Sequence, residues 1–284
     1  MLDGFVNLSD SIEMQLLYAS IVAVVAWGLT SLRSVSATTK YWIWVLTALN
    51  FALPLALLSW RFWPRGMTAR LFPHALLATG LNVRVRTLEV FWTVWLLGAA
   101  LMLVRLLVRI RSERRRELRT PAVEGLLRPR IHLPAGIDAL LTEGELEAVV
   151  IHEERHAHRR DNLIRLAYEL ALCAVWFHPL FWLAGKRLAL YRELSCDEWV
   201  ARHARANELV AALAKLAEPA SVPLLQSSAS SFIRDRVVRL ANPPAPRIVS
   251  ALLAIGFSVF LVATTVETVN ALSAPRCPHP AEGR

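Results

Sequence analysis

The stretch Thr142-Glu143-Gly144-Glu145-Leu146-Glu147-Ala148-Val149-Val150-Ile151-His152-Glu153-Glu154-Arg155-His156 decides the local fold and the chemistry together. Thr142 followed three residues later by Glu145 is a capping box, in which each side chain satisfies the other's free backbone N–H, so a helix starts here. Leu146, Val149 and Val150 keep helical spacing and carry that helix into the charged residues beyond. On a helix four residues advance about 400°, so the imidazoles of His152 and His156 leave one face a turn apart, close enough to hold one metal ion. Neutral imidazole suits zinc. Glu153 is rotated about 100° from His152 and stands off the ligand face, where a carboxylate serves as general base toward water activated by the ion. The expected chemistry is peptide hydrolysis, with Glu153 as the catalytic residue.

A catalytic zinc ion of this kind takes a third protein ligand and leaves its fourth position to water. The candidate is Glu193 in Tyr191-Arg192-Glu193-Leu194-Ser195-Cys196-Asp197-Glu198. Asp197 is four residues further along the same helix and is expected to take a hydrogen bond from the non-ligating nitrogen of a zinc histidine. Cys196 is the alternative ligand, as a soft thiolate. Asp161 either orients His156 or pairs with Arg165 at i+4. Arg202 or His203 is a candidate stabiliser of the oxyanion. Between the two halves of the site, Leu163 to Leu183 is apolar enough to span a bilayer, but a single crossing would separate Glu193 from His152. His178-Pro179 resolves the conflict, because proline interrupts a helix. Two helices of about 14 residues, each reaching roughly 21 Å, would dip into the membrane and return as a hairpin.

Outward from this region the chain is strongly apolar: 55% of its 284 residues are hydrophobic and the mean hydropathy is +0.40. Met14 to Leu32, Tyr41 to Trp60, Val90 to Val108 and Ile248 to Val269 are each long enough to cross about 30 Å of hydrocarbon. Trp42, Trp44, Trp60 and Trp63 fall at the ends of the second stretch, as headgroup-level rings do. Asp3, Asp10 and Glu13 precede the first stretch without a Lys or Arg, which argues against a cleaved signal. Of 32 Lys and Arg, 23 lie between Arg105 and Arg247, with seven arginines clustered at 105 to 119. Such juxtamembrane cations stay on the cytoplasmic side and attract anionic lipid, so the net charge of +9 is read as topology and membrane-lipid contact, with no direct nucleic-acid binding. Five arginines in the 61 to 89 loop, placed outside by this count, argue the other way and are outweighed by the cluster. Cys173, Cys196 and Cys277 fall at different depths, so no disulfide within the chain is expected. Arg130-Ile131-His132-Leu133 reads as a short strand, and Pro243, Pro244 and Pro246 as a linker before the last span.

The order Pro-x-I-x-L-P (Pro129 to Pro134), E-L-x-x-V-x-x-H-E-x-x-H-x-x-R-x-D (Glu145 to Asp161), W-F-H-P-L-x-W (Trp176 to Trp182) and R-E-L-x-C-D-E (Arg192 to Glu198) resembles the BlaR/MecR-type antirepressor family of integral-membrane zinc metallopeptidases. The resemblance implies zinc on His152, His156 and Glu193, catalysis by Glu153, four spans, and a cytoplasmic protease whose substrate is a transcriptional repressor or the protease itself. Well-known members end in an extracellular sensor with a Ser-x-x-Lys nucleophile. About fifteen residues follow Val269 here, so the likeness is to the shorter, sensor-less members and the stimulus is left open.

The expected fold is therefore mainly α: a polytopic inner-membrane protein of a bacterial cell with four transmembrane helices, both termini extracytoplasmic, and a cytoplasmic helical HExxH zinc-protease domain containing a membrane-dipping hairpin. Residues 1–109 would form the membrane region, 110–247 the protease domain, and 248–284 the fourth span and tail. A rival reading is a non-catalytic membrane receptor or scaffold that keeps the fold. Glu153 favours the enzyme, because a purely structural zinc site does not need it. The sequence gives no oligomeric state.

Overall fold

A computed structural model describes residues 2–53, 85–115, 120–217, 236–237, 240 and 247–273. Helices dominate: α1 (Leu2–Ser31), α2 (Ala37–Ala52), α3 (Val85–Arg115), a hairpin of β1 (Ala122–Glu124) and β2 (Arg130–His132), then α4 (Ile137–Leu140), α5 (Glu143–Arg159), α6 (Asp161–Ala174), α7 (Pro179–Arg202), α8 (Ala206–Ala217) and α9 (Arg247–Ser273). The strand expected around Ile131 is β2; its antiparallel partner β1, three residues long, gave no sequence signal.

Two of these helices are long and apolar enough to cross a membrane, over Val90–Glu113 and Ile248–Val266. Only 6% and 11% of these windows are buried, so neither is a core helix in disguise; their leucines and valines face outward on nearly all sides, as a lipid solvent requires. The apolar part of α1, Gln15–Ser31, is shorter. The second stretch departs from expectation. Its helix ends at Ala52, Leu53 is extended, and 54–60 lie outside the described residues, as does Trp63. Trp44 does not face outward as a headgroup ring would: it is fully buried and donates Nε1–H to Thr30 Oγ1 at 3.2 Å, whereas Trp42 is exposed. Apolar composition cannot tell a lipid-facing helix from a protein-facing one, and α2 faces protein. Its most extensive contact is with α7, where Tyr41, Ile43 and Trp44 meet Ala184, Leu188, Tyr191 and Leu194.

A helical hairpin is present. α6 has 14 residues, Val175 to His178 form the turn, and α7 opens with Pro179 at its first position, where the missing N–H costs nothing. The returning helix is longer than expected, at 24 residues, because it runs on through the site. The tip lies against α3: Trp95 donates Nε1–H to the Ala174 carbonyl at 2.9 Å, and Trp176 to the Trp95 carbonyl at 3.3 Å. The rest of the arm lies there too, with Arg109 Nη1 2.7 Å from Glu169 Oε1 at mid-helix and Arg165 paired with Glu113 nearer the base. Trp95 to Arg109 is a rise of roughly 21 Å, so the first arm runs alongside a helix able to cross a membrane.

A second core, of Ile137, Leu141, Ala148, Val149, Val200, Leu209, Ala212 and Leu240, holds α5 against α8 and the end of α7. The capping box is formed, with Glu145 Oε2 accepting from Thr142 N–H at 2.8 Å. Lys215 of α8 reaches the same oxygen at 2.7 Å.

Candidate metal centre

Two helices bring the donors together. α5 presents His152 and His156 from one face, and α7 crosses it with Glu193. Their three inward atoms form a triangle: Nε2 of His152 to Nε2 of His156 is 3.2 Å, and each lies 3.6 Å from Oε2 of Glu193. Tetrahedral ligands at zinc bond lengths stand about 3.3–3.4 Å apart, so the donor set fits a zinc ion with little adjustment. The other oxygen of Glu193, Oε1, is held by Arg192 at 3.0 Å, which leaves Oε2 turned toward the histidines.

Each imidazole is backed by a buried aspartate. Nδ1 of His156 lies 2.6 Å from Oδ2 of Asp161. Nδ1 of His152 lies 3.2 Å from Oδ1 of Asp197, a contact outside good hydrogen-bond geometry. The alternatives at Asp161 thus resolve in this geometry toward His156: Arg165 turns away to Glu113. What brings Asp161 back is Arg160, a left-handed residue at φ 55° that both ends α5 and starts α6, folding the chain through a single-residue corner.

Cys196 is buried near His156, and one thiol with two histidines is a possible cluster. Its Sγ, however, lies 3.6 Å from Nδ1 of His156, the nitrogen already occupied by Asp161, and it accepts from Arg159 at 3.0 Å. A ring offers one nitrogen to one ion, and Nε2 points at Glu193, so the carboxylate fits better than the thiol. Glu153 is partly buried on the next position of α5, and among the described residues its carboxylate has no hydrogen bond or ion pair. Arg202 and His203 are engaged elsewhere: Arg202 pairs with Glu198 at 2.7 Å, and His203 packs on Trp199. They lie about 13–15 Å beyond Glu193 along the helix, too far to be built into the site without bending it.

Three partners had no sequence reading. Arg159, nearly fully buried, donates to Asp161 Oδ2 at 2.6 Å and to the Arg192 carbonyl at 3.1 Å, and stacks over the Tyr41 ring at 4.4 Å. Tyr41 of α2 donates its hydroxyl to Asp161 Oδ1 at 2.8 Å. Arg236 grips Asp197 with both ends of its fork, at 2.8 and 2.6 Å. Arg159 sat inside the quoted motif, and its spacing to Asp161 was a usable signal; Tyr41 and Arg236 are too distant in sequence to be found that way.

Electrostatically the site favours positive charge. Burial pulls the imidazolium of His156 down, but Asp161, with Cys196 and Glu193, outweighs it and holds the group well above its ordinary range. His152 is raised in the same manner, against burial, by Asp197 and Glu193. Burial pushes Glu193 up, and the two histidines with Arg192 hold it well below the usual carboxylate value. Positive charge is therefore accommodated at the point where a divalent ion would be.

Comparison with known proteins adds a family. Residues 108–210 match the BlaR1 peptidase M56 model, a segment that includes α5, α6, α7 and the start of α8. Over 134 residues the chain is 30% identical to the regulatory protein BlaR1 of Bacillus licheniformis, an alignment covering 44% of this chain and 22% of that protein. The chain thus matches about a fifth of the length of this relative. No solved structure matches. The segment that carries the two histidines, Glu193 and both aspartates is thus similar to the BlaR1 peptidase M56 family.

Proposed function

We propose that this chain is a membrane-embedded zinc endopeptidase of a signalling pathway, cutting a cytoplasmic repressor-type protein or itself. The observation that carries the reading is the triangle of His152, His156 and Glu193 with a free carboxylate, Glu153, at the adjoining helical position. His152, His156 and Glu193 would hold a zinc ion there, which would supply Lewis acidity toward the scissile carbonyl and water. Asp161 and Asp197 keep the Nδ1 protons of the two histidines, so that both Nε2 lone pairs converge. Glu153 takes the proton from the attacking water and returns it to the departing amine. Arg192 restrains the spare oxygen of Glu193.

The membrane setting rests on α3 and α9, and on the hairpin lying along α3. Four spans with the site on the cytoplasmic side complete the proposal. Contacts favour one side for all these parts: Glu198 of α7 accepts from the N–H groups of Ala37 and Thr38, and Ser36 N–H donates to Ser250 Oγ of α9. These contacts support a reading in which the 33–40 loop, the start of α9 and the metal site share a compartment. A repressor as substrate comes from the likeness to a regulatory protein.

Metal analysis of the detergent-purified chain tests the reading. About one zinc per chain is expected, lost in His156→Ala and kept in Glu153→Gln, with substrate or self-cleavage abolished in both. Stoichiometric zinc in His156→Ala removes the metal assignment. Identical fragments and repressor lifetimes from wild type and Glu153→Gln would favour a non-catalytic scaffold.

A further inference from the structure

The two histidines are supported in the same way by residues of very different origin. Behind His156 stands Asp161, and behind Asp161 stands Arg159, 2.6 Å from the oxygen that meets the imidazole. Behind His152 stands Asp197, and behind Asp197 stands Arg236, whose Nη2 is 2.6 Å from the oxygen that meets that imidazole and whose Nε is 2.8 Å from the other. Arg159 belongs to the helix of the histidines themselves. Arg236 comes from 84 residues beyond His152, in the segment that leads to α9.

Asp197 is 2% exposed, so its charge needs a partner inside the protein. Among the described residues, the positive group that touches Asp197, apart from the candidate ligand His152, is the Arg236 guanidinium. The fork also fixes the plane of the carboxylate, because two parallel N–H donors accept one orientation. Asp197 is four residues from Glu193 on α7, so an aspartate free to turn would disturb His152 and the helix face that carries the third donor.

Resting on the zinc reading above, we propose that Arg236 is a positioning residue of the metal site: it holds Asp197 in the orientation that sets His152, and it does so from the segment joined to the last apolar helix. Leu240, four residues on, is buried in the core of α5, α7 and α8, so Arg236 and Leu240 give this segment two docking points. Six residues separate Leu240 from Arg247, where α9 begins.

The experiment measures zinc affinity of the full-length detergent-purified chain by chelator competition, alongside the melting temperature of the metal-free protein. Arg236→Met is expected to weaken zinc about 10- to 100-fold, as loss of a group orienting a ligand does. Arg236→Lys, which keeps the charge and loses the fork, should fall between. Asp197→Asn should weaken zinc comparably, and the double variant should add little to either single change, because the two residues act as one unit. Unchanged zinc affinity in Arg236→Met, with only the melting temperature lowered, would mean that Arg236 merely anchors its segment, and would overturn the proposal. So would Arg236→Lys binding zinc like wild type, since charge alone would then suffice. If Arg236→Met is not recovered folded, Arg236→Lys and Asp197→Asn decide the matter by the same criteria. Failure of wild type to bind zinc, or retention of zinc by His156→Ala, is a separate result that overturns the metal site as a whole.

Discussion

Asp161 meets His156 five residues back along the chain, with Oδ2 2.6 Å from Nδ1, and it can do so because Arg160 between the two helices is left-handed. The same oxygen binds Arg159, so one carboxylate orients a candidate ligand and neutralises a buried guanidinium. Asp161→Asn keeps the size and removes the charge. Its expected effects are zinc affinity lower by about 10- to 100-fold and a metal-free protein destabilised by about 3 kcal/mol, since Arg159 is left buried without its anion. Chelator competition and thermal melts of the purified protein measure both. An unchanged affinity would remove Asp161 from the site.

The charge state of the site predicts an opposing pH response of its empty and loaded forms. The two histidines are raised in the folded state, so their stabilising effect is complete below about pH 6.5 and fades as pH climbs through the folded values. Glu193 and Asp197 are lowered, so theirs is complete above about pH 4.3 and fades as pH falls through the folded values. The empty site thus contributes most in mildly acidic solution. Zinc must displace the imidazole protons and binds better as pH rises. Melts with and without zinc at pH 6, 7 and 8 should show a gap that widens upward; a constant gap contradicts the assignment.

A glycine tests the hairpin. A Cβ on Gly98 of α3 would run into the Trp176 ring at the hairpin tip, whereas one on Gly28 of α1 would meet nothing. Gly98→Ala should destabilise the protein by about 1–3 kcal/mol through overpacking. Gly28→Ala should be neutral or gain up to about 1 kcal/mol from helix propensity. Equal melting temperatures for the two variants would mean that the tip does not dock on α3.

Glu198 caps α2 from α7, accepting from Ala37 N–H at 2.7 Å. Glu198→Ala is expected to cost about 1–2 kcal/mol of stability, the value of a lost helix cap with its dipole interaction, while zinc affinity stays within about twofold. Denaturant unfolding in detergent and chelator competition separate the two effects.

Sidedness is accessible by labelling. In a background without native cysteines, thiols introduced at Ser112 and Ala201 should both be shielded from an impermeant reagent in intact cells, and one at Gly283 should react. Labelling at Ala201 alone would separate α7 from the end of α3 and contradict a shared compartment.

Much of the site was legible because its spacing is local. His152 and His156 follow from the helical repeat, the start of α5 from Thr142 and Glu145, and the hairpin from one proline between arms that had to return. Glu193 and Asp197 came from the requirement for a third donor and a partner one turn on. Tyr41 and Arg236 were illegible for the opposite reason: 120 residues separate Tyr41 from Asp161, and no periodicity links them. Trp44 shows the limit of composition, since an aromatic near the end of an apolar stretch reads alike whether headgroups or Thr30 await it. The length of α2 was misjudged on the same ground.

On α7 the groups that matter stand within one short stretch: Tyr191 donates to the Thr30 carbonyl of α1, Glu193 faces the histidines, Asp197 faces His152, and Glu198 plugs α2. A screw displacement of this helix by a single residue, about 100° and 1.5 Å, would disengage all four together. α7 is therefore keyed to its surroundings by several teeth at once. A signal arriving through α1 or α2 would change how many molecules are engaged rather than how well each one works. In a graded dose series the active fraction should rise while the turnover of each active molecule stays fixed.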